Sequence, residues 1–333
     1  MTRSRAAVLA ALILVLVACT APPGGASAGT ATVGTSPSAA AGACPLSPPP
    51  AGTPEGWDVT TQHPSVFPQV INPPGTIACG PNRLMFSFLD AKNVPVASPD
   101  RTVDVQLFDL GVDPTKPVAE GKATFIWAIE PTVGVYVFDA DLKTAGTYGI
   151  QFTTAAKGGA PEAIRAGFDV QPVSSVIAIG DKAPPSKTPT LADVGGDVTK
   201  ISTDPSPVKA FYGTSIADAV AAKKPFVVAF ATPKFCTSKQ CGPTLDRLKP
   251  IAAKHPDVTV INVEPYELQF TEGQLQPVLS GNPAGLTPTA ATEEWRLPTE
   301  PWVFVVDKNG IVTGSFMLIF SDDELEAAFK GVE

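Results

Sequence analysis

The sequence predicts a mixed architecture, a β-sandwich followed by an α/β domain, and three observations carry that expectation. Short period-two runs separated by turn residues recur between residues 81 and 172, the pattern of strands with one face buried and the other wet. After residue 209 the pattern changes to short apolar runs alternating with helical periodicity, as in a sheet covered by helices. Between the two, residues 171–208 accumulate Pro, Gly, Ser, Thr and Asp, the composition of a connecting segment or extended arm. A chain of 333 residues, 44% hydrophobic and 17% charged, is long enough for two cores, since domains usually run about 100–200 residues.

In the first region the strand runs are 83–89, 102–107, 122–127, 134–138, 147–153 and 164–170. In the second, Ser215 with Asp218 three residues on gives a capping-box-like start to a helix reaching about residue 222. The apolar run 225–231 suits a buried central strand, 243–254 is helical in period, and 258–263, 302–307 and 311–316 read as further strands. The last two are joined by a Lys308-Asn309-Gly310 turn. Ser321 caps a final helix whose first turn holds Asp322, Asp323 and Glu324, where acids meet the positive end of the helix dipole. The order is strand-helix-strand, then strand-strand-helix.

Residues 1–18 begin with Arg3 and Arg5, continue through an apolar run from Ala6 to Val17 and end in small residues, which is the pattern of a secretory signal. Twelve apolar residues fall short of the roughly 20 needed for a stable transmembrane helix. The ending Leu16-Val17-Ala18-Cys19 resembles the lipobox of bacterial lipoproteins. That resemblance implies diacylation of Cys19 and cleavage before it, leaving the protein on the outer face of a cell membrane by its acyl chains. Residues 19–43, almost wholly Ala, Gly, Ser, Thr and Pro after the Cys, read as a flexible tether. Loss of the leader removes two arginines and no acid, taking the formal net charge from −8 to −10, which disfavours a nucleic-acid partner.

With Cys19 acylated, Cys44, Cys79, Cys236 and Cys241 remain in an oxidising compartment. Four cysteines allow three connectivities, and sequence separation favours Cys44 with Cys79 as a structural bond and Cys236 with Cys241 as a redox-active one.

Two further resemblances refine the fold. Residues 141–148, Asp-Leu-Lys-Thr-Ala-Gly-Thr-Tyr, are similar to the corner before a late strand of immunoglobulin-like domains, which implies that the Tyr148 hydroxyl bonds back to the backbone. Phe230-Ala-Thr-Pro-Lys-Phe-Cys236-Thr-Ser-Lys-Gln-Cys241-Gly-Pro243, followed about 60 residues later by Glu300-Pro301-Trp302 and an apolar strand, resembles the thioredoxin superfamily. The likeness is to its secreted, membrane-anchored thiol-disulfide oxidoreductases and covers residues 209–333. With the strand pattern, the corner and the composition of the connecting segment, the expected division is an immunoglobulin-like sandwich over 44–172, a linker or arm over 173–208 and, from this likeness, a thioredoxin-like domain over 209–333. The likeness also implies Cys236 as attacking thiol, Cys241 as resolving thiol and Pro301 as the cis-proline facing them.

The match has departures. Four residues, not two, separate the cysteines. In a regular helix residues i and i+5 lie about 8.6 Å apart at Cα, beyond the roughly 7 Å that a disulfide spans, so Cys236 is expected in the loop before the helix. The positive helix end, with Lys234 and Lys239, would favour a thiolate at Cys236. The strand position that carries a buried acid in the family, the usual proton acceptor for the second Cys, falls on Ala229; Glu264 and Glu300 are the candidates to substitute, each set against the reading of a solvated surface carboxylate, which is favoured.

The expected function is thiol-disulfide exchange with exported proteins, with a membrane electron donor as the second partner to look for. No cofactor or metal is expected. A copper site of two thiolates and a His lacks its third ligand, because His63 precedes the sandwich and His255 ends the helix after Cys241. Thr232 lies one residue too far from Cys236 for peroxiredoxin chemistry. The competing reading is a non-catalytic surface adaptor in which the second disulfide is structural.

Overall fold

The computed structural model describes residues 44–333; the signal expected at 1–18, the acylation expected at Cys19 and the tether expected up to residue 43 lie outside the described residues. Eight strands open the described chain: β1 (Val66–Val70), β2 (Gly80–Asp90), β3 (Thr102–Asp109), β4 (Ala119–Lys122), β5 (Thr124–Ile129), β6 (Val133–Leu142), β7 (Gly146–Ala155) and β8 (Glu162–Val170). They form two four-stranded sheets, β1-β2-β6-β5 and β4-β3-β7-β8, antiparallel throughout. Alternate residues of facing strands, Phe86 and Phe88, Val105 and Leu107, Tyr136 and Phe138, Ile150 and Phe152, meet in one core between the sheets. That is the two-layer arrangement the period-two pattern predicts.

The run 122–127 behaves differently from its sequence pattern. It divides at Ala123, so that β4 pairs with β3 in one sheet and β5 with β6 in the other. Strand β1 passes unnoticed in the sequence because Pro68 sits at its centre; it is an edge strand, where a missing donor is tolerated. The Tyr148 hydroxyl donates to the Thr144 carbonyl four residues upstream at 3.2 Å, the backbone bond anticipated for it. Cys44 and Cys79 are disulfide-bonded across Cα positions 6.2 Å apart.

The second region contains α1 (Ile216–Ala222), β9 (Phe226–Phe230), α2 (Cys241–Lys254), β10 (Thr259–Val263), two small hairpins β11 (Leu268–Thr271) with β12 (Gln274–Pro277) and β13 (Leu279–Ser280) with β14 (Gly285–Leu286), α3 (Ala290–Glu294), β15 (Trp302–Val306), β16 (Val312–Met317) and α4 (Asp322–Lys330). The sheet order is β10-β9-β15-β16, with β10 parallel to β9 and the other pairs antiparallel. Every residue of β9 and of β15 is buried, as continuous apolar runs require of central strands covered on both faces. Val227, Ala229, Val303 and Val305 pack on Leu245, Leu248 and Ile251 of α2 and Leu325 and Phe329 of α4. Phe226, Val228, Phe230 and Phe304 pack on Ile216, Ala219 and Trp295 on the opposite face.

The Ser215 hydroxyl accepts the Asp218 amide at 3.1 Å to cap α1. Ser321 and Glu324 form a reciprocal capping box on α4, at the positions the sequence marks.

Residues 173–208 have no regular structure beyond short 3-10 turns, yet they pack. Val176, Ile177 and Ala183 join the core under the second sheet, and Lys182 bridges to Ile311 beside β16. The same core includes Met85, Ile126, Val135 and Val137 from the sandwich, so apolar packing is continuous from one region to the other. Arg83 of β2 closes the junction with two bonds to the Glu324 carboxylate of α4, at 2.8 and 3.1 Å.

Candidate functional site: the Cys236–Cys241 loop

Strand β9 ends at Phe230 and α2 begins at Cys241; the intervening loop holds Cys236. The Phe235 amide bonds the Thr232 carbonyl at 3.2 Å, making a tight turn just before Cys236. The Lys239 backbone, at φ 65°, takes the left-handed conformation, which lets the chain fold back in the two extra residues and enter the helix. The result is a Cα–Cα distance of 6.0 Å and a Cys236–Cys241 disulfide, within reach only because Cys236 stays outside the helix.

The two sulfurs are unequal. Cys241 is fully buried among Leu245, Ala229 and Ala231, whereas Cys236 is half-buried at the edge of the same cluster. The Cys241 amide, the first of α2, donates to Cys236 Sγ at 3.1 Å, and the Ser238 hydroxyl lies 3.4 Å from the same sulfur. A helix-terminal N–H aimed at a sulfur stabilises negative charge on it. The lysine side chains are placed as follows. Lys234 Nζ bonds Gln274 Oε1 at 3.0 Å and the Leu275 carbonyl at 3.1 Å, gripping β12, and Lys239 is exposed.

Pro301 follows a cis peptide bond after Glu300, and the Pro301 carbonyl accepts the Leu318 amide at 2.9 Å. The Glu300–Pro301 segment lies against the cysteine loop: the Ser238 hydroxyl donates to the Glu300 carbonyl at 2.8 Å. Cys236, Cys241 and Pro301, the three residues singled out in the sequence, thus come together.

Both nearby glutamates depart from the surface expectation. Glu300 is 1% exposed. Its Oε1 accepts the Thr237 amide at 2.6 Å and the Thr237 hydroxyl at 2.7 Å, and Oε2 accepts the Tyr266 hydroxyl. Burial, and then the Glu300 carboxylate beside it, push the Tyr266 hydroxyl well above the usual phenol range, so Tyr266 stays a donor. Glu264, just past β10, accepts the Thr203 amide at 2.6 Å and hydroxyl at 2.8 Å. Its burial pushes the carboxyl up to about 7, against hydrogen bonds from Thr232 and Thr203 that favour the ionised form. No local sequence signal marks either burial, because the covering residues come from distant segments.

Among the described residues, Cys236, Cys241 and Glu300 form the one group of Cys, His, Asp or Glu whose donor atoms converge, all lying within 4.8 Å of one another. With the sulfurs bonded to each other neither is a thiolate, the form that ligates, so in this oxidised state the group is no metal site. His255 stands elsewhere, held by Glu333 and, at 3.2 Å, Glu326.

No family model matches the chain, and no curated protein matches it. Among solved structures it is similar to the PmoD soluble domain from Methylocystis sp. ATCC 49242 (Rockwell), with 14% identity, a TM-score of 0.20, and 32% of this chain and 90% of that one covered. It is also similar to the Lin-41 filamin domain, with 13% identity, a TM-score of 0.19, and 32% and 93% covered. Scores this low assign neither fold nor function, so the functional reading rests on the site itself.

Proposed function

We propose that this chain is an extracytoplasmic thiol-disulfide oxidoreductase, anchored to the bacterial cell membrane by lipid on Cys19 and acting on exported proteins through Cys236 and Cys241. On this reading the sandwich is immunoglobulin-like and residues 209–333 are a thioredoxin-like domain. The observation that carries the proposal is the asymmetry of the pair: Cys236 is the more accessible sulfur and receives the first amide of α2, while Cys241 is sealed in the core. The strand-helix-strand and strand-strand-helix order around the pair, and the proline segment facing it, support the same reading.

Reduced Cys236 attacks a client disulfide and forms a mixed disulfide with one client sulfur. Cys241 then attacks Cys236 Sγ and releases the client thiol; the reverse sequence oxidises a client dithiol. The lipid anchor rests on the basic start, apolar run and Leu-Val-Ala-Cys ending of residues 1–19. Among the described residues no helix is long and apolar enough to cross a membrane.

The test is trapping. Cys241→Ser permits the first exchange and blocks the second, so it accumulates mixed disulfides with exported proteins under acid-quenched, non-reducing conditions, whereas Cys236→Ser accumulates almost none. If neither variant captures a client, the adaptor reading with a structural disulfide takes its place.

A further inference from the structure

Cys241 is 0% exposed. A thiol must lose its proton to attack a disulfide, and bulk water does not reach this one, so the resolving step needs a proton acceptor within the fold. Ala229, beneath the cysteines on β9, offers none. The Glu300 carboxylate has an oxygen within 4.8 Å of both sulfurs, a separation that one bridging water or a small rotation of the released thiol closes.

The surroundings of Glu300 fix the position of its carboxylate beside the pair. Its partners are neutral donors: the Thr237 amide and hydroxyl on the cysteine loop and the Tyr266 hydroxyl from the segment after β10. These leave lone pairs on both oxygens and hold the group against the disulfide from two sides. Thr237 is one of the four residues between the cysteines. Its amide lies ahead of the first turn of α2, where no intrahelical acceptor exists, and the Glu300 carboxylate supplies one.

Resting on the oxidoreductase reading above, we propose that Glu300 is the proton acceptor of Cys241 in the resolving step, held in place by Thr237 and Tyr266. In the mixed disulfide the Cys241 thiol passes its proton to Glu300. Its sulfur bonds Cys236 Sγ as the bond from Cys236 to the client sulfur breaks, and the electron pair leaves with that client sulfur. Glu300 then returns the proton to the departing client thiolate or to solvent, so no further oxidant or reductant enters the step. In the opposite direction Glu300 protonates Cys241 as a client thiol opens the disulfide.

The reduced protein is mixed with the aromatic disulfide 5,5′-dithiobis(2-nitrobenzoate) in a stopped-flow spectrometer, which separates two releases of coloured thiolate: attack by Cys236, then resolution by Cys241. Glu300→Gln, which removes a negative charge within 4.8 Å of Cys236 Sγ, is expected not to slow the first phase, to slow the second about 100-fold at pH 7, and to make its rate rise log-linearly with pH as hydroxide takes over. Tyr266→Phe, which keeps the carboxylate and removes one donor, is expected to alter the pH profile of the second phase alone; it provides the readout should Glu300→Gln fail to fold. An unchanged second phase in either folded variant, or equal slowing of both phases, overturns the assignment of Glu300. Absence of the first phase in the unmutated protein overturns the oxidoreductase reading itself.

Discussion

Replacing Glu264 by Gln isolates the electrostatic cost of the carboxylate under the cysteine loop. Glu264 anchors Thr203, whose hydroxyl also accepts the Lys234 amide at 3.3 Å and lies 3.3 Å from the Thr232 hydroxyl, so the carboxyl helps to fix the turn that delivers Cys236. Asp204, which faces it and is paired with Lys249 at 2.8 Å, adds to the upward shift. With the carboxyl moved from 4.5 to about 7 in the folded chain, the native state keeps a proton that the unfolded state gives up between those values. Stability from this group is therefore greatest below about pH 4.5 and declines as pH rises toward 7, by about 3 kcal/mol in total, since one unit corresponds to about 1.4 kcal/mol. The glutamine variant cannot ionise and loses that slope. Urea unfolding of both proteins from pH 4.5 to 8 reads the effect as a change in their stability difference. A difference constant to within about 0.5 kcal/mol, the usual error of such comparisons, refutes the reasoning.

Three other outcomes follow from the same structure. Cys44→Ser with Cys79→Ser opens a loop closed at a sequence separation of 35 and is expected to lower stability by about 3–4 kcal/mol on the chain-entropy view, read by chemical denaturation under non-reducing conditions. Arg83→Ala removes a two-bond partner from the partly buried Glu324 carboxylate at the junction of β2 and α4 and is expected to cost about 2–3 kcal/mol, with high salt failing to reproduce the loss. Cys19→Ser is expected to abolish incorporation of a clickable fatty acid; equal labelling of variant and parent contradicts the lipid anchor.

The central strands were legible in the sequence because runs as short and as β-branched and aromatic as residues 226–230 and 302–306, flanked by Pro225 and Pro301, suit a doubly covered strand better than a buried helix. The capped starts of α1 and α4 were legible because Ser215 and Ser321 satisfy their amides locally. The loop position of Cys236 followed from helix geometry alone. Other features depend on contacts far apart in sequence. Hairpins β11–β14 are short, and seven of their twelve residues are exposed, including Phe270 and Leu279, so no periodicity announces them. Glu300 reads as a surface acid beside a proline; it is buried because Thr237, 63 residues away, and Tyr266, 34 residues away, converge on its carboxylate. Lys234 reads as a neighbour of the thiolate, but its amine reaches across 40 residues of sequence to Gln274.

The most direct test of the account is a redox titration of the Cys236–Cys241 pair, with thiol content at each poise read by alkylation and mass spectrometry. A pair that turns over with client proteins is predicted to exchange reversibly, at a potential above about −300 mV, the region of catalytic rather than structural disulfides. A potential below about −300 mV, together with no reduction or refolding of a disulfide-bonded test protein, would contradict the account and leave the bond a structural one.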